Sequence, residues 1–87
     1  MRHFANDDDG YVDWLEKNPS GLVLNFCPKT RYALLHEAGC STINRPTPPN
    51  GEWTKTCHKY CATNRAELRG LESRLNIDLR YRQHSCR

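Results

Sequence analysis

The first apolar positions of the chain follow a helical spacing. Tyr11, Trp14 and Leu15 recur at i, i+3 and i+4, which is typical of an amphipathic helix. Acidic residues at 7–9 precede them, where negative charge stabilises the positive end of a helix dipole. The proline and glycine of residues 18–21 then stop the pattern. The spacing therefore predicts a helix of about ten residues.

Continuous apolar stretches follow, and their lengths are typical of buried strands. Residues 22–26 and 32–36 predict two strands, which a turn at 27–31 joins into a hairpin. The three prolines of residues 45–51 exclude regular structure, because proline removes a donor and fixes φ, so this stretch is predicted to be an exposed loop. Residues 53–59 are predicted to form a third strand.

The end of the chain combines a second helix with a last strand. Asn64 and Glu67 have the spacing of a capping box, and three leucines then form an apolar stripe. Residues 77–82 alternate between apolar and polar positions, as a half-buried strand does. We therefore predict one small α+β domain over residues 1–87, with residues 1–9 flexible. Its short antiparallel sheet, built from the hairpin and the later strands, would be packed by two helices.

A chain of 87 residues is too short to be held together by its core alone. Such a domain buries about 60–65% of the surface of its unfolded chain, so a staple is expected. Its five cysteines leave at least one thiol outside any set of intramolecular disulfides. No apolar run reaches the length of a membrane span, and the start lacks the apolar region of a secretion signal. These features predict a cytoplasmic location, where clustered cysteines more often bind metal than pair.

His36 and Cys40 flank a glycine corner and provide the first half of a predicted zinc site. Structural zinc takes four tetrahedral thiolate or imidazole ligands from separated segments. Cys61 precedes the second predicted helix, whose dipole favours a thiolate, and Cys86 would tie down the chain end. The predicted ligands of a structural zinc are therefore His36, Cys40, Cys61 and Cys86, with Cys57 as the substitute.

Other interpretations of these residues stay open. His58 or His84 would serve if Cys57 also failed as a ligand, and Cys27 in the hairpin turn is given no role. Alternatively, His36 bonds the backbone at a strand end and the cysteines fill the core as small apolar residues.

Charge is unevenly distributed along the chain, whose net charge is +3. Residues 1–16 sum to −4 and residues 53–87 sum to +5. Lysine and arginine neutralise phosphates, so the second segment is a candidate nucleic-acid-binding surface, unless it is an ordinary solvated face. The predicted phosphate-contacting residues are Lys55, Lys59, Arg65, Arg69, Arg74, Arg80 and Arg82.

Five short stretches carry a resemblance to a known kind of module: residues 11–15, 18–25, 35–40, 59–63 and 67–68. They resemble a small bacterial module found at the N-terminus of, or beside, restriction-type nucleases of the HNH class. The ligand-type residues of that pattern match His36, Cys40 and Cys61, with Cys86 as a late cysteine, whereas Cys57 has no counterpart. The resemblance implies a zinc-stabilised module associated with DNA processing or defence, not a nuclease itself.

The sequence therefore predicts a zinc-stabilised nucleic-acid-binding module, with DNA as its ligand and a nuclease or another defence protein as its partner. The alternative is a protein-interaction or adaptor module that docks through Tyr11, Trp14 and the proline loop. An enzyme is not expected, because no orienting third group accompanies Cys57 and His58, and four ligands would close a zinc site.

Overall fold

The computed structural model of the chain describes residues 1–40, 42–44 and 52–76. In chain order its elements are β1 (Arg2–Phe4), α1 (Asp8–Lys17), β2 (Leu22–Cys27), β3 (Tyr32–Glu37), β4 (His58–Ala62), a 3-10 helix (Arg65–Leu68) and α2 (Arg69–Leu75). The strands form one antiparallel sheet in the order β1-β4-β2-β3. The predicted α+β domain, with an antiparallel sheet and two helices, is confirmed in the described residues.

Helix α1 begins and ends where the sequence predicts. The Asp7 carboxylate caps its first turn by accepting from the Gly10 N–H at 3.0 Å. At the other end, the Asn18 side chain donates to the Trp14 carbonyl at 2.9 Å. These caps satisfy backbone groups that have no partner within the helix, and they fix its length at 10 residues.

Strand β1 occupies part of the segment that is predicted to be flexible. Arg2–Phe4 pairs with β4, and the Phe4 ring is buried beneath α1. The difference arises because this short segment, with Phe4 as its buried residue, gains order by pairing with a distant strand, which a local pattern cannot reveal.

The sheet lies between the two helices, and its side chains alternate between two faces. On the face that we call the α1 face, Phe4 and Val23 pack against the buried side of α1. On the opposite α2 face, Leu24 and Leu35 pack against Leu68 and the rest of the α2 layer. Strands β2, β3 and β4 therefore have buried residues on both faces, whereas β1 buries only Phe4, on the α1 face.

Strand β4 begins five residues later than predicted, at His58 instead of Trp53. The N–H groups of Trp53 and Thr54 donate to the Asp8 carboxylate at 2.9 and 2.8 Å. Those of Lys55 and Thr56 donate to the Glu52 carboxylate at 2.7 and 3.1 Å. Because side chains take these donors, residues 53–57 do not extend the ladder of the sheet.

The second helical segment carries the predicted cap, since Asn64 Oδ1 accepts from the Glu67 N–H at 3.1 Å. Its first turn is a 3-10 helix, and α2 proper begins at Arg69. The helices of the described residues are too short and too polar to span a membrane. Several predictions lie outside the described residues, namely the loop 45–51, the strand 77–82, and Arg80, Arg82, His84 and Cys86.

Candidate functional site

His36 and Cys40 lie near the end of β3, where both side chains contact the hydroxyl of Thr42. The Thr42 hydroxyl lies 3.2 Å from His36 Nδ1 and 3.0 Å from Cys40 Sγ. A turn closed by the Cys40 N–H and the Glu37 carbonyl, 2.9 Å apart, returns the chain toward the imidazole. The structure thus joins two predicted zinc ligands through a threonine that sequence reasoning missed.

Cys61 lies within β4 on the α1 face, directly opposite Val23. Its thiol is fully buried, and burial raises its pKa to about 12, although Lys59 and Arg2 oppose the change. The prediction that a helix dipole lowers this pKa is therefore wrong, because the side chain points into the apolar cluster beneath α1 and not toward a helix end.

Cys27 and Cys57 form a disulfide between the end of β2 and the residue before β4. Phe26 is opposite His58, so the two cysteines occupy the next cross-strand position. The interpretation of Cys27 as a residue without a role is wrong, and Cys57 in this bond is not a thiolate that could replace a zinc ligand. The sequence could not reveal the pairing, because it depends on the register of two strands 30 residues apart.

The four predicted zinc ligands are not assembled within the described part of the chain. No group of three His, Cys, Asp or Glu side chains there is arranged to hold a metal ion. His36 and Cys40 are in place as a pair, and Cys61 shares the apolar cluster with Cys40. The fourth predicted ligand, Cys86, lies outside the described residues.

Lys59, a predicted phosphate-contacting residue, lies inside the molecule with 4% of its surface exposed. Its Nζ donates to Asn25 Oδ1 and to the Trp53 carbonyl, both at 2.7 Å. The ammonium also lies 5.7 Å from the centroid of the Tyr11 ring. Burial lowers the pKa of Lys59 to about 8, although the carboxylates of Glu52 and Asp8 oppose the change. Lys59 is therefore not available to an extended nucleic-acid backbone.

An open cleft of about 540 Å³ borders Lys59. Its lining includes Asn25 of β2 and Lys55, Thr56 and Cys57 of the irregular segment. Sequence reasoning missed Asn25, whose signal is a polar residue inside an otherwise apolar strand. A second cavity of about 270 Å³ shares Asn25 with this cleft and extends to His36. A row of polar side chains thus crosses the α1 face, from Lys59 on β4 through Asn25 on β2 to His36 on β3.

Asp8 holds the wall of this cleft in place. Besides the two N–H groups described above, its carboxylate accepts from the Thr54 hydroxyl at 2.7 Å. Burial opposes ionisation of Asp8, but hydrogen bonds from Thr54 and Trp53, with the nearby Lys59 charge, outweigh it and lower the pKa of the carboxyl. Asp8, which the sequence indicates as a helix-dipole partner at the start of α1, therefore also holds Thr54 in place, 46 residues further along the chain.

The predicted basic residues divide between the two sides of the sheet. Arg65, Arg69 and Arg74 are exposed on the 3-10 helix and α2, on the α2 side. Lys55 and Lys59 border the cleft, on the α1 side. The five predicted phosphate-contacting residues that lie within the described part of the chain therefore do not form one continuous surface.

Two histidines lie at the junction of β1 and β4, on the α2 side. His3 Nε2 and His58 Nδ1 are 3.0 Å apart, and the His3 ring stacks on Tyr60 with centroids 4.2 Å apart. Burial lowers the pKa of His3, and the charges of His58 and Arg74 lower it further. Burial and the neighbouring positive charge therefore favour the neutral form of the His3 imidazole.

Comparison of the chain with protein-family models, with curated proteins and with solved structures finds no match in any of the three.

Proposed function

We propose that the chain is a nucleic-acid-binding module, with DNA as its ligand, which contacts phosphates through the outer side of the α2 layer. We call Arg65, Arg69 and Arg74 the arginine surface; all three side chains are exposed. Arginine binds phosphate oxygens with its planar fork and keeps its charge at every physiological pH. The observation that carries the proposal is that the sheet separates these arginines from the acidic helix.

The acidic residues near the arginine surface are in part neutralised. Glu67 accepts from the Met1 ammonium at 2.9 Å and also bonds the Thr63 hydroxyl. At the far end of α2, Arg31 donates to the Leu75 carbonyl and brings a further positive charge to the negative end of the helix. Among the described side chains, an approaching phosphate therefore meets more exposed positive than negative charge on this side.

The opposite side of the molecule repels a polyanion. Asp7, Asp9 and Glu16 are exposed on or beside α1. Lys17, the basic residue of the last turn, pairs with Asp13 at 2.9 Å. Opposite charge on the two sides would orient the module as it approaches a nucleic acid.

A structural zinc remains part of the proposal. Its support is the contact of His36 and Cys40 through Thr42 and the position of Cys61 in the same apolar cluster as Cys40. A partner nuclease or defence protein is supported by the resemblance alone. An adaptor that docks through Tyr11 and Trp14 is less well supported, because both side chains are buried in the core.

Binding to a labelled DNA duplex at two salt concentrations tests the proposal. Three phosphate contacts give a slope of about −2.7 for log affinity against log salt, which is an affinity loss of about 40-fold between about 50 and 200 mM salt. Replacing one arginine, as in Arg69→Gln, should reduce the magnitude of the slope by about 0.9. Lys17→Gln, on the acidic side, removes one positive charge as the matched control and should leave the slope unchanged.

Two results would overturn the proposal. One is the absence of binding at the lower salt concentration, and the other is binding that does not change with salt. Equal effects of Arg69→Gln and Lys17→Gln would mean that binding follows the net charge and not the arginine surface.

A further inference from the structure

The orientation of the Asn25 amide follows from its contact with Lys59. An ammonium group has no acceptor, so the Asn25 atom 2.7 Å from Lys59 Nζ is the carbonyl oxygen. The amide nitrogen of Asn25 is therefore directed elsewhere, and within the described residues it donates to no protein acceptor. Because Asn25 lines both the cleft and the second cavity, it presents a hydrogen-bond donor at their junction.

Lys59 also has an N–H donor for which the described residues provide no hydrogen-bond acceptor. Its ammonium has three hydrogens, and two of them go to Asn25 Oδ1 and the Trp53 carbonyl. No third acceptor for this group is found among the described residues. A buried charge is stabilised by each further hydrogen bond, so the site favours an incoming acceptor.

The two carboxylates near Lys59, Glu52 in the cleft lining and Asp8 behind the cleft wall, already accept hydrogen bonds from backbone N–H groups. Glu52 is the acidic residue in the described lining, and its carboxylate already accepts from the N–H groups of Lys55 and Thr56. The Lys55 side chain is exposed at the same cleft. With Lys55 and Lys59 charged, the described lining has a net charge of +1 at neutral pH.

We propose that the cleft beside Lys59 binds a small oxyanion, a phosphate or carboxylate group that accepts hydrogen bonds from Lys59 Nζ and Asn25 Nδ2. The volume of about 540 Å³ is large enough for a small molecule. A side chain that is 4% exposed is reached by a compact group and not by the middle of a polymer. This site lies on the α1 side of the sheet, so it does not depend on DNA binding by the arginine surface.

Inorganic phosphate and acetate, added separately at constant ionic strength, are the probes for the test. Binding is followed by ¹H–¹⁵N correlation spectra of the full chain, with sodium chloride as the reference for non-specific ion effects. We expect saturable shifts of the Asn25 side-chain amide and of the Thr56 backbone amide with at least one probe. The tighter of the two probes identifies the natural ligand as a phosphate or a carboxylate.

Asn25→Asp is the sharpest variant, because it retains an acceptor for Lys59 while replacing the donor with a negative charge. It should weaken oxyanion binding more than tenfold. The ¹H–¹⁵N correlation spectrum of the variant also shows whether it is folded. Lys17→Gln changes the net charge by the same amount at a distant site and should bind as the wild type does. Lys55→Gln, at an exposed lining residue, should weaken binding about threefold, and provides the test if Asn25→Asp does not fold.

Shifts that grow linearly with both probes, or that sodium chloride reproduces, would overturn the proposal. So would unchanged affinity in a folded Asn25→Asp variant. The DNA-binding assay on the same protein separates the two proposals, because Asn25→Asp should bind DNA with the salt dependence of the wild type.

Discussion

Breaking the Cys27–Cys57 disulfide should remove a large part of the stability of this domain. The bond closes a loop with a sequence separation of 30 residues. Treated as a constraint on the unfolded chain, a loop of this length stabilises the native state by about 3.6 kcal/mol at 25 °C. A domain of this length has a total stability of only about 4–13 kcal/mol. The loss should therefore lower the melting temperature by about 15–30 °C.

Urea unfolding of the wild type and of the Cys27→Ser/Cys57→Ser double variant measures this loss. The wild type is measured with and without a reductant, and the reduced wild type should unfold at the midpoint of the double variant. The double variant is its own control, because a reductant should not change its midpoint. A thiol titration of the denatured wild type should find two more reactive thiols after reduction.

Two outcomes would refute this reasoning. An equal thiol count before and after reduction would mean that the bond does not form, and the cysteines would again be open to metal binding. A loss below about 1 kcal/mol with the bond present would mean that the unfolded chain is already compact around the same contact.

Three further changes test the packing and the polar contacts of the fold. Gly21→Ala should destabilise the domain by about 1–3 kcal/mol in urea unfolding, because the added Cβ would lie 2.5 Å from Trp14 Cη2. Gly70→Ala should stabilise α2 by about 0.5–1 kcal/mol, because among the described residues the added Cβ would have no atom within 4 Å beyond its chain neighbours and its own helix backbone; destabilisation there would contradict the assigned helix. Asp8→Asn should cost about 1–3 kcal/mol at pH 7, since it weakens three hydrogen bonds from Trp53 and Thr54. Because the pKa of Asp8 is lowered in the folded state, its contribution is present above the unfolded pKa and is lost as pH falls through the folded pKa. The difference between Asp8→Asn and wild type should therefore shrink on acidification, and a constant difference would contradict the role of the charge.

The parts of the fold that the sequence predicts are those set by neighbouring residues. The helix α1 follows from the spacing of Tyr11, Trp14 and Leu15, and the β2–β3 hairpin follows from two apolar stretches joined by a short turn. The cap at Asn64 is likewise a local signal. Each of these depends on contacts within a few positions, so a single sequence contains the information.

Contacts between distant segments account for the differences. Residues 53–57 have a strand-like composition, but Asp8 and Glu52 take their N–H groups and keep them out of the sheet. The disulfide likewise depends on the β2–β4 register, which no local pattern fixes. The zinc prediction drew on four cysteines and gave Cys27 no role, whereas Cys27 is joined to Cys57 and Cys61 is buried in a strand.

Lys59 shows how a strand boundary changes a functional interpretation. As a residue at the end of a strand it is predicted to reach a phosphate in solution. In the structure the strand begins at His58, and its side chains alternate between the two faces of the sheet. Lys59 and Cys61 therefore lie on the α1 face, whereas Tyr60 lies on the α2 face. Lys59 therefore enters the interior two positions from a fully buried thiol, where its hydrogen bonds to Asn25 and the Trp53 carbonyl help to stabilise the charge. A lysine held in this way does not add to the general attraction of a basic surface. Its charge is available only to a group small enough to enter the cleft.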